Sequence, residues 1–185
     1  MNTNYTRTHD IDWFYIISGK PIHVASAGGE LPKGISSLRL LHEWQQKVEL
    51  LPVSSEVVLN RDFIMQQVIQ RDYEGFDVNL IPEENDLIEE LDYFGLSMPE
   101  KLYYNTFILM AMRGFYSFDR TFHTENGSEV YHLVAKPKND DAEVLKAITQ
   151  IGIPVVETDG INFEKDLSLI VEKPLIQLIN NCYNR

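Results

Sequence analysis

The stretch from residue 56 to residue 96 constrains the fold of this chain more than any other. It begins with a short apolar strand that ends at Asn60, a good cap for a following helix. Residues 75–81 are then predicted to be extended, because Phe76, Val78 and Leu80 alternate with polar residues as in a strand. Pro82 and two glutamates open an acidic amphipathic helix, and Gly95 is placed to end it. This pattern predicts a strand–helix–strand–helix unit in which each element buries one face.

The rest of the chain predicts further short elements of both kinds. They are a hairpin over 11–17 and 22–27, a helix from Ser36 or Ser37 to about residue 51, an apolar segment over 102–112 that is helix or strand, a loop over 113–126, a strand over 129–135, a helix over 140–151, short strands over 153–156 and 167–171, and a terminal helix from Pro174. The fold class is therefore α+β. We expect a boundary near Ser97, with one domain over 1–97 and an α+β C-terminal domain or extension over 98–185.

Four motifs follow one another between residues 20 and 97. They are a strand reaching Gly28-Gly29, a serine-led helix from Ser36-Ser37, the step Leu59-Asn60-Arg61-Asp62-Phe63 after a strand, and an acidic helix that ends in Tyr93-Phe94-Gly95. In this order they resemble the BTB/POZ domain of the potassium-channel tetramerisation type. Asn60 stands where that family has an acid, and Glu30 stands where it usually has phenylalanine. The hairpin before the first motif is an addition to the family pattern.

The resemblance implies a BTB/POZ-like mixed α/β N-terminal domain and a non-enzymatic adaptor that associates with itself and with an unidentified protein partner. In the family, self-association uses polar surfaces near the first strand and the Asp-Arg-Asp step. Arg61, Asp62 and Phe63 are therefore the expected self-association interface, because an arginine and an aspartate from neighbouring subunits can form a bidentate pair. The alternative is that Asp62 favours the first turn of a helix while Arg61 is solvated.

A second hypothesis is a small ligand-binding protein or enzyme with its site in the C-terminal half. His123 and His132 flank a turn, and across a hairpin they would meet each other and Asp119. The aromatic residues before this turn are the candidate partner or ligand surface, although aromatic side chains at this density are more typical of a core. They are Phe115, Tyr116 and Phe118.

Other chemical motifs are incomplete in the sequence. His9, Asp10 and Asp12 lack a second cluster of metal ligands, and the glycine pair lacks the residues of a phosphate loop. Cys182, the only cysteine, has no neighbouring base in sequence. We therefore predict no catalytic residues, no metal and no cofactor, and the chain is not expected to be an enzyme.

The charge distribution bears on possible partners. Residues 36–97 hold thirteen acidic side chains against four basic ones, and the net charge of the chain is −12, so nucleic-acid binding is not expected. This acidity favours solubility, or it suits an inhibitor or immunity-type protein that masks a basic partner. No apolar run approaches the ~18 residues that span a bilayer, and the N-terminus does not read as a signal peptide. We expect a soluble, cytoplasmic protein that is not bound to a membrane.

The adaptor hypothesis predicts a discrete homo-oligomer. Light scattering on a sizing column should give about four or five times the chain mass, as in the family that the chain resembles. Asp62→Arg reverses the charge at the expected interface and should yield the monomer. A monomer for both the wild-type chain and the variant would remove the adaptor hypothesis.

Overall fold

A computed structural model describes part of this chain: residues 11–26, 31–35, 37–53, 56–64, 95–96, 98–121, 130–157 and 175–182. In chain order, the strands are β1 (Asp12–Ile17), β2 (Lys20–Ala25), β3 (Val57–Leu59), β4 (Tyr116–Thr121), β5 (Val130–Pro137) and β6 (Val155–Val156). The helices are α1 (Leu38–Glu49), α2 (Arg61–Ile64), α3 (Met98–Met112), α4 (Ala142–Gln150) and α5 (Leu175–Cys182). These elements confirm a mixed α and β architecture.

The first two strands form the predicted hairpin. Ile17 pairs with Lys20, so the connection is the two residues Ser18 and Gly19. Both have positive φ values, 47° and 75°, and this geometry matches the right-handed twist of the flanking strands. Glycine adopts such a conformation without strain, which explains the Ser-Gly sequence at the tip.

The strands form one six-stranded sheet in the order β3-β5-β4-β2-β1-β6. β2 and β4 are parallel, as are β1 and β6, while the remaining neighbours are antiparallel. Because β2 precedes residue 97 and β4 follows it, the boundary expected near Ser97 does not divide the sheet. The C-terminal residues supply the two strands that lie between β2 and β3.

Helices cover both faces of this sheet. One apolar cluster joins Trp13 and Val24 of the sheet to Trp44 of α1, Ile148 of α4 and Ile179 of α5. The other cluster places α3 against the opposite face, with these members among others: Ala25, Tyr104, Phe107, Ile108, Ala111 and Val134. Ser37 caps α1 by accepting a hydrogen bond from the Leu40 amide.

Several predicted elements are confirmed, and one is wrong. The helix after Ser37, the strands before Asn60 and Lys138, and the helix after Asp141 all form. The ambiguous segment over 102–112 lies within the helix α3. The loop predicted over 113–126 is incorrect in its first part, because residues 116–121 form the central strand β4.

The aromatic residues of this strand region belong to the core. Phe115, Tyr116 and Phe118 are at most 5% exposed. They therefore do not form the partner or ligand surface that was expected of them, and their density reflects packing between the sheet and its helices.

Other expectations fall outside the described residues. They concern Gly28-Gly29, the helix beyond residue 64, the strand over 75–81, the acidic helix before Gly95, His123 and the strand over 167–171. Asp62 and Phe63 are known only by their position in the single turn of α2.

Two glycines with positive φ provide a matched test of packing. Gly114 (φ 93°) ends α3, and a Cβ atom there would lie 2.4 Å from Val144 Cγ1 of α4. Gly152 (φ 87°) ends α4, with nothing within 4 Å of its Cβ position. Gly152→Ala should cost about 1–2 kcal/mol of unfolding free energy from backbone strain alone. Gly114→Ala should cost about 1–3 kcal/mol more because of overpacking. Urea denaturation measures both, and equal losses would contradict the close approach.

Candidate functional site

A row of polar side chains crosses the sheet on the face that α3 covers. Asp12 lies opposite Ala25, Ala25 lies beside Asp119, and Asp119 lies opposite His132, so these residues occupy one transverse line across four strands. The next line places His23 beside Ser117. We call Asp12, His23, Ser117, Asp119 and His132 the polar row.

Tyr103 of α3 joins two members of the polar row. Its hydroxyl donates to Asp119 Oδ2 at 2.8 Å and lies 3.1 Å from His132 Nε2. Asp119 Oδ1 accepts a hydrogen bond from the Arg120 amide at 2.7 Å. Three side chains from α3, β4 and β5 therefore meet at one hydroxyl group.

The single proton of the Tyr103 hydroxyl sets the direction of this network. Since that proton is donated to Asp119, the contact with His132 is satisfied only when Nε2–H of the imidazole donates to the tyrosine oxygen. Hydrogen bonds then run from His132 through Tyr103 to Asp119. Each donor polarises the next one, which strengthens the bond that reaches the carboxylate.

Burial fixes the charge state of His132. The side chain is 1% exposed, and removal from water lowers its pKa from 6.5 to about 4. The ring is therefore neutral near pH 7, where it acts as a hydrogen-bond donor and not as a cation. The negative charge of Asp119 is thus not cancelled by this histidine.

The other half of the polar row is an Asp-His-Ser arrangement. His23 Nδ1 lies 2.6 Å from Ser117 Oγ, and His23 Nε2 lies 3.5 Å from Asp12 Oδ2. His23 and Ser117 are completely buried, with the Phe14 and Phe107 rings beside the imidazole. A serine nucleophile must reach its substrate, so burial rules out that role for Ser117 in this conformation.

The structure brings together two of the three residues expected at the C-terminal site. Asp119 and His132 pair across β4 and β5, as their predicted hairpin arrangement requires, while His123 lies outside the described residues. The role of Tyr103 was not predicted from the sequence. Its segment is apolar, and no local pattern relates it to a hairpin beyond residue 115. No signal in the sequence distinguishes it from the adjacent Tyr104.

Arg61 of the expected interface is engaged within the chain. Its guanidinium donates to both carboxylate oxygens of Glu100 at 2.7 and 3.1 Å, and to the Gly95 carbonyl at 3.2 Å. Glu100 is 2% exposed, so it needs this bidentate partner to remain charged. The pair joins the start of α2 to the start of α3.

The described part of the chain shows no cluster of side chains suited to bind a metal ion. No group of three or more histidine, cysteine, aspartate or glutamate side chains among these residues is arranged to hold a metal ion.

Comparisons with known proteins give no relative. No protein-family model matches the chain, and searches of curated proteins and of solved structures find no similar protein. Among the helices within the described ranges, none has the length and apolar character required to cross a membrane.

The lowered pKa of His132 predicts a specific pH dependence of stability. Between pH 6.5 and about 4 the unfolded chain binds a proton at this residue that the folded protein does not bind. The free energy of unfolding should therefore fall as pH decreases through this window, by up to about 3 kcal/mol from this group. His132→Gln should remove that part of the slope in urea denaturation from about pH 7 to about pH 4.

The control for this measurement is His42→Gln, which changes an exposed histidine on α1. It should keep the wild-type slope. An unchanged slope in His132→Gln would show that His132 does not carry this pH dependence.

Proposed function

We propose that this protein binds a small hydroxyl-bearing ligand at Asp119, with Tyr103 and His132 holding that carboxylate in position to accept a hydrogen bond from it. The observation that carries the proposal is the shared hydroxyl of Tyr103, which contacts both other side chains. The three residues come from separate elements and meet only in the folded chain. Asp119 is the accepting group in this arrangement, and Tyr103 and His132 are the two residues that support it.

The hydrogen bonds at Asp119 support its role as the acceptor. One oxygen accepts from the Tyr103 hydroxyl and the other accepts from the Arg120 amide. Donors to both oxygens favour the charged carboxylate and fix its orientation. A carboxylate oxygen has more than one acceptor position, so it can accept from more than one donor.

The surroundings of Asp119 indicate the kind of ligand. A carboxylate favours a molecule that donates hydrogen bonds and disfavours an anion. Asp119, near the C-terminal end of β4, and Tyr103 of α3 are both partly exposed, whereas His132 is buried. The partly exposed tyrosine ring offers an apolar surface beside the charge, which suits a polyol or sugar with hydroxyl groups and a C–H face.

Nuclear magnetic resonance tests this proposal directly. Glycerol, myo-inositol and D-glucose are the probes, and the Arg120 amide is the reporter because it donates to Asp119 Oδ1. At least one probe should shift that resonance in a saturable manner, and Asp119→Asn should weaken the response about tenfold or more, because the charged acceptor is lost. Tyr103→Phe should weaken it less, since the carboxylate remains.

Two controls separate ligand binding from a purely structural network. Asp140→Asn removes a half-exposed carboxylate that pairs with Lys20, and it should leave the response intact. 1,2-Dimethoxyethane accepts hydrogen bonds but cannot donate them, so it should produce no saturable shift. If none of the three probes saturates, or if Asp119→Asn responds as the wild type does, the polar network serves stability alone.

The self-associating adaptor is a separate proposal. It is supported by the order of motifs over residues 20–97, and by no contact among the described side chains. A subunit contact through Arg61 would compete with the intrachain pair to Glu100. The inhibitor proposal is supported only by the net charge of −12.

A further inference from the structure

A cleft of about 340 Å³ lies at the end of the sheet where the β1–β2 hairpin turns and α4 begins. Gly19 of the hairpin tip and Gly114 before β4 contribute main chain to its lining, while Pro137, Val144 and Leu145 contribute apolar side chains. This volume is at the lower end of the range for small-molecule sites. The cleft therefore suits a small ligand with an aliphatic part.

Two opposite charges in this lining come from separate elements. Lys20 begins β2, Asp140 precedes α4, and the Lys20 ammonium forms an ion pair with Asp140 Oδ2. Their side chains are 25% and 53% exposed, so a ligand can reach both groups from solvent. Asp141 also lines the cleft, but its Oδ1 caps α4 by accepting from the Glu143 and Val144 amides. An exposed ion pair contributes little to stability, so a ligand that offers both charges can replace it.

Tyr116 of β4 supports both charged groups. Its hydroxyl donates to Asp140 Oδ1 at 3.1 Å, and Lys20 Nζ lies 5.7 Å from the centre of its ring. Tyr116 lies beside Ile22 in the sheet, and Lys20 is two residues before Ile22, so all three side chains share one face. Because the Tyr116 hydroxyl reaches the residue next to the capping residue of α4, this is the face on which α4 packs. The two charges and the apolar side chains of α4 therefore lie on the same side of the sheet.

We propose that this cleft binds a small zwitterion, an α-amino acid with an aliphatic side chain. The ligand ammonium contacts Asp140, its carboxylate contacts Lys20, and its side chain packs against Val144 and Leu145. A ligand with both charges replaces the intrachain ion pair with two pairs of its own. A ligand with one charge would leave either the lysine or the aspartate without an opposite charge, which disfavours it. This site is separate from Asp119 and does not rest on the proposed function.

L-Leucine is the probe, and three analogues each remove one of its contacts. 4-Methylpentanoate lacks the ammonium, 3-methylbutan-1-amine lacks the carboxylate, and glycine lacks the aliphatic side chain. Binding at pH 7 is followed by the backbone amide resonances of residues 139–145 in the full chain. L-Leucine should produce saturable shifts, and each analogue should bind about tenfold more weakly or worse, because a charged or apolar contact is lost.

Asp140→Asn and Lys20→Met should each weaken L-leucine binding about tenfold or more. The matched controls are Glu56→Gln and Lys138→Met, which make the same charge changes in another exposed ion pair whose members do not line the cleft. They should leave the affinity unchanged. The absence of saturation, an analogue that binds as tightly as L-leucine, or an equal loss in the controls would overturn the proposal. The comparison of the four ligands on the wild-type protein decides the question even if a variant does not fold. Asp119→Asn should bind L-leucine normally, which keeps this site distinct from the first.

Discussion

The parallel pairing of β2 with β4 is the interaction on which the rest of the structure depends. It joins the N-terminal hairpin to the C-terminal strands and makes a single sheet from both halves of the chain. The same register places His23 beside Ser117 and Ala25 beside Asp119. A shift of one residue would send these polar side chains to the opposite face, among the aromatic residues that pack against α1 and α4. Register therefore determines both the core and the polar row.

Burying polar groups beneath an apolar helix is costly unless they find partners. Most of the polar row meets this requirement: His132 and Asp119 both contact the Tyr103 hydroxyl, and His23 Nδ1 contacts the Ser117 hydroxyl. Among the described residues, the His23 Nε2 atom has no hydrogen-bond partner and lies 3.5 Å from Asp12 Oδ2. Glu100 follows the same rule at the start of α3, where Arg61 provides both hydrogen bonds. Helix α3 is thus attached to the sheet through Tyr103 and to α2 through Glu100, as well as through apolar packing. A helix held only by apolar packing would need neither the Tyr103 contacts nor the Arg61–Glu100 pair.

Local signals in the sequence predicted the elements that local physics controls. Ser37 and Asp141 accept hydrogen bonds from the first turns of their helices, and the hairpin tip at Ser18 needs only the two residues that form it. The strand β4 was not predicted, because Gly114 and the turn residues Glu125-Asn126-Gly127 at its two ends favoured a loop, although Ser117 and Asp119 alternate with aromatic residues as in a strand. The pairing of Asp119 with His132 was accessible because a hairpin relates residues that are close in sequence. Tyr103 and the Arg61–Glu100 pair were not accessible, since they depend on how distant elements pack.

The central position of β4 also has a consequence for synthesis of the chain on the ribosome. The hairpin of β1 and β2 emerges early, but the strand that pairs with the β2 edge is synthesised about ninety residues later. During this interval the edge offers main-chain donors and acceptors beside apolar side chains, the form in which strands of different molecules pair. The nascent chain therefore depends on delayed closure of a long loop, a slow step compared with hairpin formation. A polypeptide that stopped before Tyr116 would keep the β2 edge open to pairing with a strand of another molecule.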